Sequence, residues 1–379
     1  NKIKDKIDNY SKEGFRVLAV AKQNNLGTIP STLFDSKLDF EGLIALYDPP
    51  RYGVKTSLSE CYSAGVRVIM ITGDNGETAK GIAKKINLEN YEQVITGNEL
   101  EKMSDEELFE AVKTVNIFAR VYPNHKMRIV NALQKDNKVV AMTGDGVNDA
   151  PALKKSNVGI AMGERGTNVA KESADLILLD DNFNTIVKTI ENGRNIYKNI
   201  KKAISYIIAI HIPIALLSLF VPMFKLPTLL LPIHVMLLEL LIDPTSSIIF
   251  QRIKPSKDIM KEQPRNIKES IINLKSVLSS ISKGFLIFIV VFITYFLVSK
   301  MKDTSMAITI AYSTLVLSIM LITYQLKGDE LTLKAFVKSF KDKASLLVNL
   351  GVILGLIILV YVDKRFLPFV APDLQFLKQ

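Results

Sequence analysis

A single cysteine, Cys61, stands among 379 residues. One thiol cannot form an intramolecular disulfide, which excludes a disulfide-stapled secreted scaffold and makes Cys61 an expected small buried residue rather than a nucleophile. Internal repeats and low-complexity tracts are absent. With 48% hydrophobic residues and a mean hydropathy of +0.21, the composition excludes disordered and fibrous classes. The length suits two ordinary domains, each with a core to bury.

Acidic residues are scarce in one half only. Residues 1–198 balance 27 Lys+Arg against 27 Asp+Glu, so the net charge of +10 lies wholly in residues 199–379. Nucleic acid is therefore not the expected partner, because the basic half is also the one with long apolar runs. Segments 203–222, 229–250, 277–298, 306–326 and 344–362 are apolar and long enough to cross a bilayer, and none resembles a signal peptide. Lys198, Lys201 and Lys202 precede the first. The second connection carries Arg252, Lys254, Lys257, Lys261, Arg265, Lys268 and Lys275, and the fourth carries Lys327, Lys334, Lys338, Lys341 and Lys343. The other connections hold only Lys225 or the pair Lys300 and Lys302. By the positive-inside rule a multi-pass bilayer protein is expected, with residues 1–198 cytoplasmic and the tail after Val362 outside.

The first half alternates between short β-branched or apolar runs, Val66–Ile71, Asn116–Ala119 and Lys138–Met142, and helix-period segments. That pattern predicts a Rossmann-like α/β domain with a parallel sheet and crossover helices. Residues 1–38, with an amphipathic helix, a strand at Phe15–Lys22 and a polar loop, are too few to form a domain alone. The expected division is 1–38, 39–198 and 199–379.

Two strand ends carry chemistry. Val68–Ile71 runs into Thr72-Gly73-Asp74, and Val139–Met142 runs into Thr143-Gly144-Asp145-Gly146-Val147-Asn148-Asp149-Ala150-Pro151. In open α/β sheets the ligand crevice lies beyond the carboxyl ends of the strands. Glycines let backbone N–H groups approach a phosphate, a Thr hydroxyl adds a donor, and Asp145 with Asp149 offers hard oxygen ligands of the kind Mg²⁺ takes. Two ordinary Gly-Asp turns are the plain alternative. Lys126, between the motifs, is an ammonium that can neutralise a phosphoryl group.

Phe40–Leu88 with Asp48-Pro49-Pro50-Arg51, the run Phe118-Ala119-Arg120-Val121-Tyr122-Pro123, and Val139–Met162 resemble the P-type cation-transporting ATPases, calcium-pump-like branch. Gly166-Thr167, Asp180-Asp181-Asn182-Phe183 and Gly193-Arg194-Asn195-Ile196-Tyr197 extend the likeness. The resemblance implies a haloacid dehalogenase-type phosphorylation domain over 39–198, a C-terminal remnant of a nucleotide-binding domain over 1–38, and a helical transmembrane bundle over 199–379. ATP is the implied phosphoryl donor, Mg²⁺ the cofactor and a divalent cation the cargo. It makes Thr72 and Gly73 the phosphate-binding pair, Lys126 the neutralising lysine, Asp145 the Mg²⁺ ligand, and Asn148 and Asp149 its support. Asp74 and Arg120 match ribose-holding positions, and Arg16 matches an arginine that reaches ATP phosphates. The family's phosphorylated aspartate lies in Asp-Lys-Thr-Gly-Thr, and no such run occurs in residues 1–379. The expectation is therefore a portion of a plasma-membrane pump that lacks its nucleophile and its N-terminal half and is inactive alone.

Glu239 and Asp243, at i and i+4, share one face of the second span, and intramembrane carboxylates mark functional sites. Pro244 removes a backbone donor next to them, so the helix is expected to loosen there and free carbonyl oxygens for a hard cation. A structural pair satisfied by Ser or Thr hydroxyls is the alternative. His211 lies mid-way along the first span, as a cation or proton contact or a merely hydrogen-bonded residue, and His234 is expected to be interfacial. By the resemblance, Asp243 matches the sixth-helix aspartate of calcium pumps, whereas Glu239 and His211 each replace Asn, Ile242 replaces Thr and Ile214 replaces Glu. Calcium is the expected cargo, and His211 makes Mn²⁺ or another borderline metal the alternative. A membrane-tethered phosphatase would need an Asp-x-Asp nucleophile, which the sequence lacks. A non-enzymatic Mg²⁺- or phosphate-binding module that needs a partner chain is the remaining reading.

Overall fold

A computed structural model describes residues 2–23, 38–266, 269–301, 303–327 and 343–361, with backbone alone for 241–247, 327, 344 and 345. The chain divides into two compact units, Asn1–Glu191 with Lys257–Lys268, and Asn192–Ser256 with Glu269–Gln379.

The first unit begins with α1 (Lys2–Lys12) and an antiparallel ribbon of β1 (Arg16–Lys22) and β2 (Asp39–Leu46). Strands and helices then alternate: α2 (Val54–Ser63), β3 (Met70–Ile71), α3 (Gly76–Ile86), β4 (Val94–Thr96), α4 (Gly97–Lys102), α5 (Asp105–Ala111), β5 (Ile117–Ala119), α6 (Pro123–Lys135), β6 (Ala141–Gly144), α7 (Ala150–Lys155), β7 (Val158–Met162), α8 (Asn168–Ser173), β8 (Leu176–Leu178) and the start of α9 (Phe183–Met223). The ladders after the ribbon are parallel, as the alternation requires.

The sheet departs from expectation in one respect. It forms two three-stranded pieces, β3-β5-β4 and β6-β7-β8, and no ladder joins β3 to β6 among the described residues. Two strands also start later than the hydrophobic runs predict. Val66 gives its N–H to Cys61, closing α2 after Gly65 at φ +68°, and Lys138 gives its own to Leu133, closing α6 after Asn137 at φ +55°. Helix termination takes the donors that a longer strand would use.

Successive side chains of a parallel strand point to opposite faces, and both faces must be covered. On β5, Ile117 joins a cluster with Leu58, Ala79, Ala83 and Ile86, whereas Phe118 joins one with Leu100, Leu108, Ile129 and Leu133. A third cluster gathers Val130, Met142, Leu153 and Ala161. Neighbouring residues of α6, Ile129 and Val130, thus enter the cores of both sheet pieces, and Ile71 and Val140 pack against both. Cys61 is buried, and burial with the nearby Glu60 charge pushes its thiol up to about 11, so it is not a nucleophile at neutral pH.

The second unit is helical: the rest of α9, α10 (Pro232–Gln251), α11 (Leu274–Met301), α12 (Thr304–Lys327) and α13 (Lys343–Tyr361). Three helices among the described residues, α9, α11 and α12, are long and apolar enough to cross a membrane, and 346–361 forms a shorter apolar helix. Its core joins Tyr206, Leu217, Leu238, Val291, Tyr312 and Leu315. Gly284 lets α11 approach α9, since a Cβ there would stand 2.5 Å from the Ala209 carbonyl. Buried tyrosine hydroxyls reach backbone carbonyls of another segment: Tyr295 donates to that of Pro227 at 2.6 Å and Tyr312 to that of His234 at 3.3 Å. His234 is fully buried, its ring packed 5.8 Å from that of Tyr312 inside the core. Lys268, Lys302, Lys334, Lys338, Lys341 and the tail after Val362 lie outside the described residues.

Leu100 is fully buried at the centre of the second cluster. Leu100→Ala is expected to destabilise the first unit by about 2–5 kcal/mol. Hydrogen exchange across residues 38–191 during urea unfolding measures it.

Candidate phosphate and metal site

The carboxyl ends of β3 and β5 are locked together by backbone. Thr72 donates to the Phe118 carbonyl at 2.9 Å, Val121 to Thr72 at 3.1 Å, and Arg120 to Asp74 at 3.0 Å. Arg120 adopts φ +51°, a left-handed turn that swings the chain from β5 into α6. The Thr72 hydroxyl accepts the Asp74 N–H at 3.1 Å, which folds Thr72-Gly73-Asp74 into a tight loop with Gly73 exposed. Asn75 then caps α3 by accepting the Thr78 N–H at 2.8 Å.

Beyond β6 the loop closes on Asp149. Its Oδ2 accepts the N–H groups of Asp145 at 3.2 Å and Gly146 at 3.1 Å, and its Oδ1 pairs with the Lys126 ammonium. A Cβ on Gly144 would collide with the Asp149 side chain, so glycine is required there. Asp149 is 7% exposed and Lys126 21% exposed at the side chain, so the pair is largely withdrawn from water. Both Asp149 oxygens are thus engaged within the protein. The Asp145 carboxylate is exposed, and its carbonyl accepts the Thr167 N–H at 2.8 Å. Asn148 is exposed beside it.

Lys126, Asp145 and Asp149 therefore converge where α6 meets the end of β6, and Thr72, Asp74 and Arg120 converge at the end of β3. Arg16 joins neither group. It sits exposed on β1 opposite Leu46, next to Phe15, whose carbonyl accepts the Thr78 hydroxyl at 3.0 Å. No group of three or more His, Cys, Asp or Glu able to hold a metal occurs among the described residues. One exposed carboxylate beside a buried Lys-Asp pair fits a hard cation that keeps most of its water and shares a phosphate, as Mg²⁺ does.

Sequence reasoning passed over two supports. Asp181, at φ +46°, accepts the N–H groups of Gly163 at 2.6 Å, Glu164 at 3.1 Å and Arg165 at 2.9 Å, and its carbonyl accepts from Arg51 at 2.7 Å. It thereby anchors the loop whose end, Thr167, holds Asp145. Burial opposes ionisation of Asp181, yet these N–H groups and the Arg51 charge outweigh it and set its pKa below the ordinary aspartate value. The second support is His125, fully withdrawn beside Lys126. The sequence signal for His125 is slight, a histidine at the third helical position after Tyr122-Pro123, and Asp181 has none beyond its place in Asp180-Asp181-Asn182-Phe183.

In the second unit, Glu239 is exposed on α10 and His211 is exposed on α9, its Nδ1 2.8 Å from the Ile207 carbonyl of its own helix. The side chain of Asp243 lies outside those described. The expected loosening at Pro244 is not seen, because α10 is continuous from Pro232 to Gln251.

A parallel α/β unit with this loop chemistry defines a haloacid dehalogenase-like fold. A family model described as haloacid dehalogenase-like hydrolase matches residues 6–157, a second of the same description matches 125–190, and one described as Cation transporting ATPase, C-terminus, matches 227–377. The "Calcium-transporting ATPase" of Bacillus subtilis (strain 168) is 39% identical over 328 residues, 85% of this chain and 37% of that protein. "Calcium-transporting ATPase 1" of Bacillus cereus is 42% identical over 72% of this chain and 31% of its own length. The human "Calcium-transporting ATPase type 2C member 1" is 40% identical over 71% and 29%. The chain belongs to the P-type cation-transporting ATPases, in their calcium-pump-like branch, and is a membrane protein. It spans about a third of the length of the curated relatives it matches.

Two outcomes are expected. Asp149→Asn keeps one acceptor but removes the charge opposite Lys126, and should destabilise the first unit by about 1–3 kcal/mol, read by thermal unfolding. Ionised Asp181 stabilises the fold at neutral pH, because its folded pKa lies below the unfolded value of about 4. That contribution disappears as pH falls through the folded pKa. Asp181→Asn should therefore lower the thermal midpoint at pH 7, with the gap from native closing in acid; a gap independent of pH would refute the assignment.

Proposed function

We propose that these residues form the phosphorylation domain and membrane helices of an ATP-driven pump for a divalent cation, Ca²⁺, in the plasma membrane, with residues 1–198 cytoplasmic. The supporting observation is the withdrawn Lys126–Asp149 pair beside the exposed Asp145 at the carboxyl end of a parallel sheet. Thr72 and Gly73 offer a hydroxyl and backbone donors to the phosphoryl group, and Lys126 neutralises charge on its oxygens. Asp145 would hold Mg²⁺, which would screen the phosphate charge when bound, while Asn148 and Asp149 keep the loop in place. Asp74 and Arg120 serve the nucleotide ribose, and Arg16 serves the ATP phosphates. Glu239, Asp243 and His211 serve the transported cation.

The phosphorylated aspartate comes from polypeptide outside residues 1–379, in the same protein or a partner. The sheet edges support this: among the described residues no ladder joins the edge strands β3 and β6, residues of both pack in clusters with α6, and a parallel strand added between them would complete one sheet. A second reading rests on the absent Asp-Lys-Thr-Gly-Thr run. In it, the chain is a catalytically incomplete module that retains Mg²⁺ and phosphate binding and needs a partner. His211 keeps Mn²⁺ open as cargo.

In the intact pump, Asp145→Ala should abolish Mg²⁺-dependent phosphoenzyme formation from ATP, and undiminished phosphorylation removes Asp145 from that role. Glu239→Gln should weaken Ca²⁺ activation by at least about tenfold while nucleotide binding is unchanged. If Mn²⁺ activation alone shifts, Mn²⁺ becomes the cargo. The 379 residues alone should bind Mg²⁺ but show no ATP turnover.

A further inference from the structure

Lys126 follows a histidine whose surroundings are unusual for an amphipathic helix start. His125 is the third residue of α6, is 2% exposed, and uses both ring nitrogens. Nδ1 accepts the N–H of Tyr122, the residue before the helix, at 3.4 Å. Nε2 stands 2.5 Å from the Glu101 carboxylate on α4. A nitrogen that accepts cannot carry the proton, so the network assigns the proton to Nε2, which donates to Glu101. His125 therefore closes the helix start in the way a Glu or Gln does in a capping box, and ties it to a second helix as well.

The tie is reinforced from both sides. Gly97, the first residue of α4, leaves no room for a Cβ against the Arg120 carbonyl, so α4 lies directly on the turn that leads into α6. One turn on, Arg128 donates to the carbonyls of Leu100 at 2.8 Å and Met103 at 2.7 Å, and to Asp105 at 3.0 Å. The first turn of α6 is thus held against α4, and Lys126 leaves that turn to meet Asp149.

We infer that His125 is a positioning residue for Lys126, fixing the start of α6 through Tyr122 and Glu101 so that the ammonium is held at Asp149. The inference rests on the proposed role of Lys126 as the group that neutralises the phosphoryl charge. A long flexible ammonium gains from a fixed base, because a misplacement of about 1 Å in a charged site can cost a hundredfold in rate.

The test uses the whole 379-residue chain in detergent and needs no phosphate ligand. Lysines are acylated with a limiting amount of acetic anhydride, and the rate at each is read by peptide mass spectrometry, with Lys135 at the far end of α6 as internal reference. Asp149→Asn should raise Lys126 acylation several-fold. His125→Ala should raise it comparably with Lys135 unchanged, and His125→Gln, which can still accept the Tyr122 N–H, should restore a rate near native. If His125→Ala leaves Lys126 at the native rate while Asp149→Asn raises it, the inference is overturned and the site reading stands. If neither substitution raises it, the pair does not protect Lys126 and both fall. Should His125→Ala raise every lysine alike, Glu101→Ala decides, because Glu101 is 73% exposed at its side chain and its loss is a surface change. A rise confined to Lys126 then upholds the inference, and no rise overturns it.

Discussion

A carboxylate buried at the end of a sheet must be compensated, and the start of α6 and the loop after β6 are arranged around that need. Asp149 meets it with two backbone N–H groups and the Lys126 ammonium. The arrangement demands a glycine at 144, a helix start within reach of the strand end, and a turn sharp enough to bring α6 there. Arg120 provides the turn by its left-handed backbone. Because α6 also contributes Ile129 and Val130, one turn on from Lys126 and on the same face, to two cores, the ion pair and the apolar packing fix the same stretch of helix. Charge and packing agree, which is what a fold with one dominant arrangement requires.

The second unit answers a different constraint. Its helices leave Leu219, Met223, Leu286, Leu297 and Leu354 exposed, an apolar surface that water would not tolerate over such an area and that lipid accepts. With little hydrophobic drive between helices in lipid, contact depends on close approach and buried hydrogen bonds. Gly284 provides the first; Tyr295 and Tyr312 provide the second by donating to carbonyls near the start of α10. Their hydroxyls meet backbone acceptors that lipid could not satisfy.

Legibility followed the range of the physics. Motifs at strand ends were readable because a glycine-rich turn after an apolar run is a local signal, and the family assignment rested on several such runs in order. The strands begin after Val66 and Lys138, because the preceding helices, α2 and α6, claim those N–H donors. The burial of His234 was not legible locally, because it depends on a tyrosine 78 residues away. Pro244 looked like a break, and the backbone of α10 passes through it as helix. Asp181 and His125 gave little local sign, since what they hold lies about 16 to 24 residues away in the chain.

The sequence by itself determined the class of the protein: an α/β unit with phosphate-loop chemistry, then apolar helices, within the P-type ATPases. These properties depend on residue type and short spacing, which the chain carries wherever it folds. Only the tertiary structure decided that Asp149 is spent on Lys126 while Asp145 stays exposed, and that the parallel sheet stands in two pieces beneath one helix. Hydrogen-bond donors and acceptors are shared among segments distant in sequence. Which group is used up and which remains open is settled only when those segments meet.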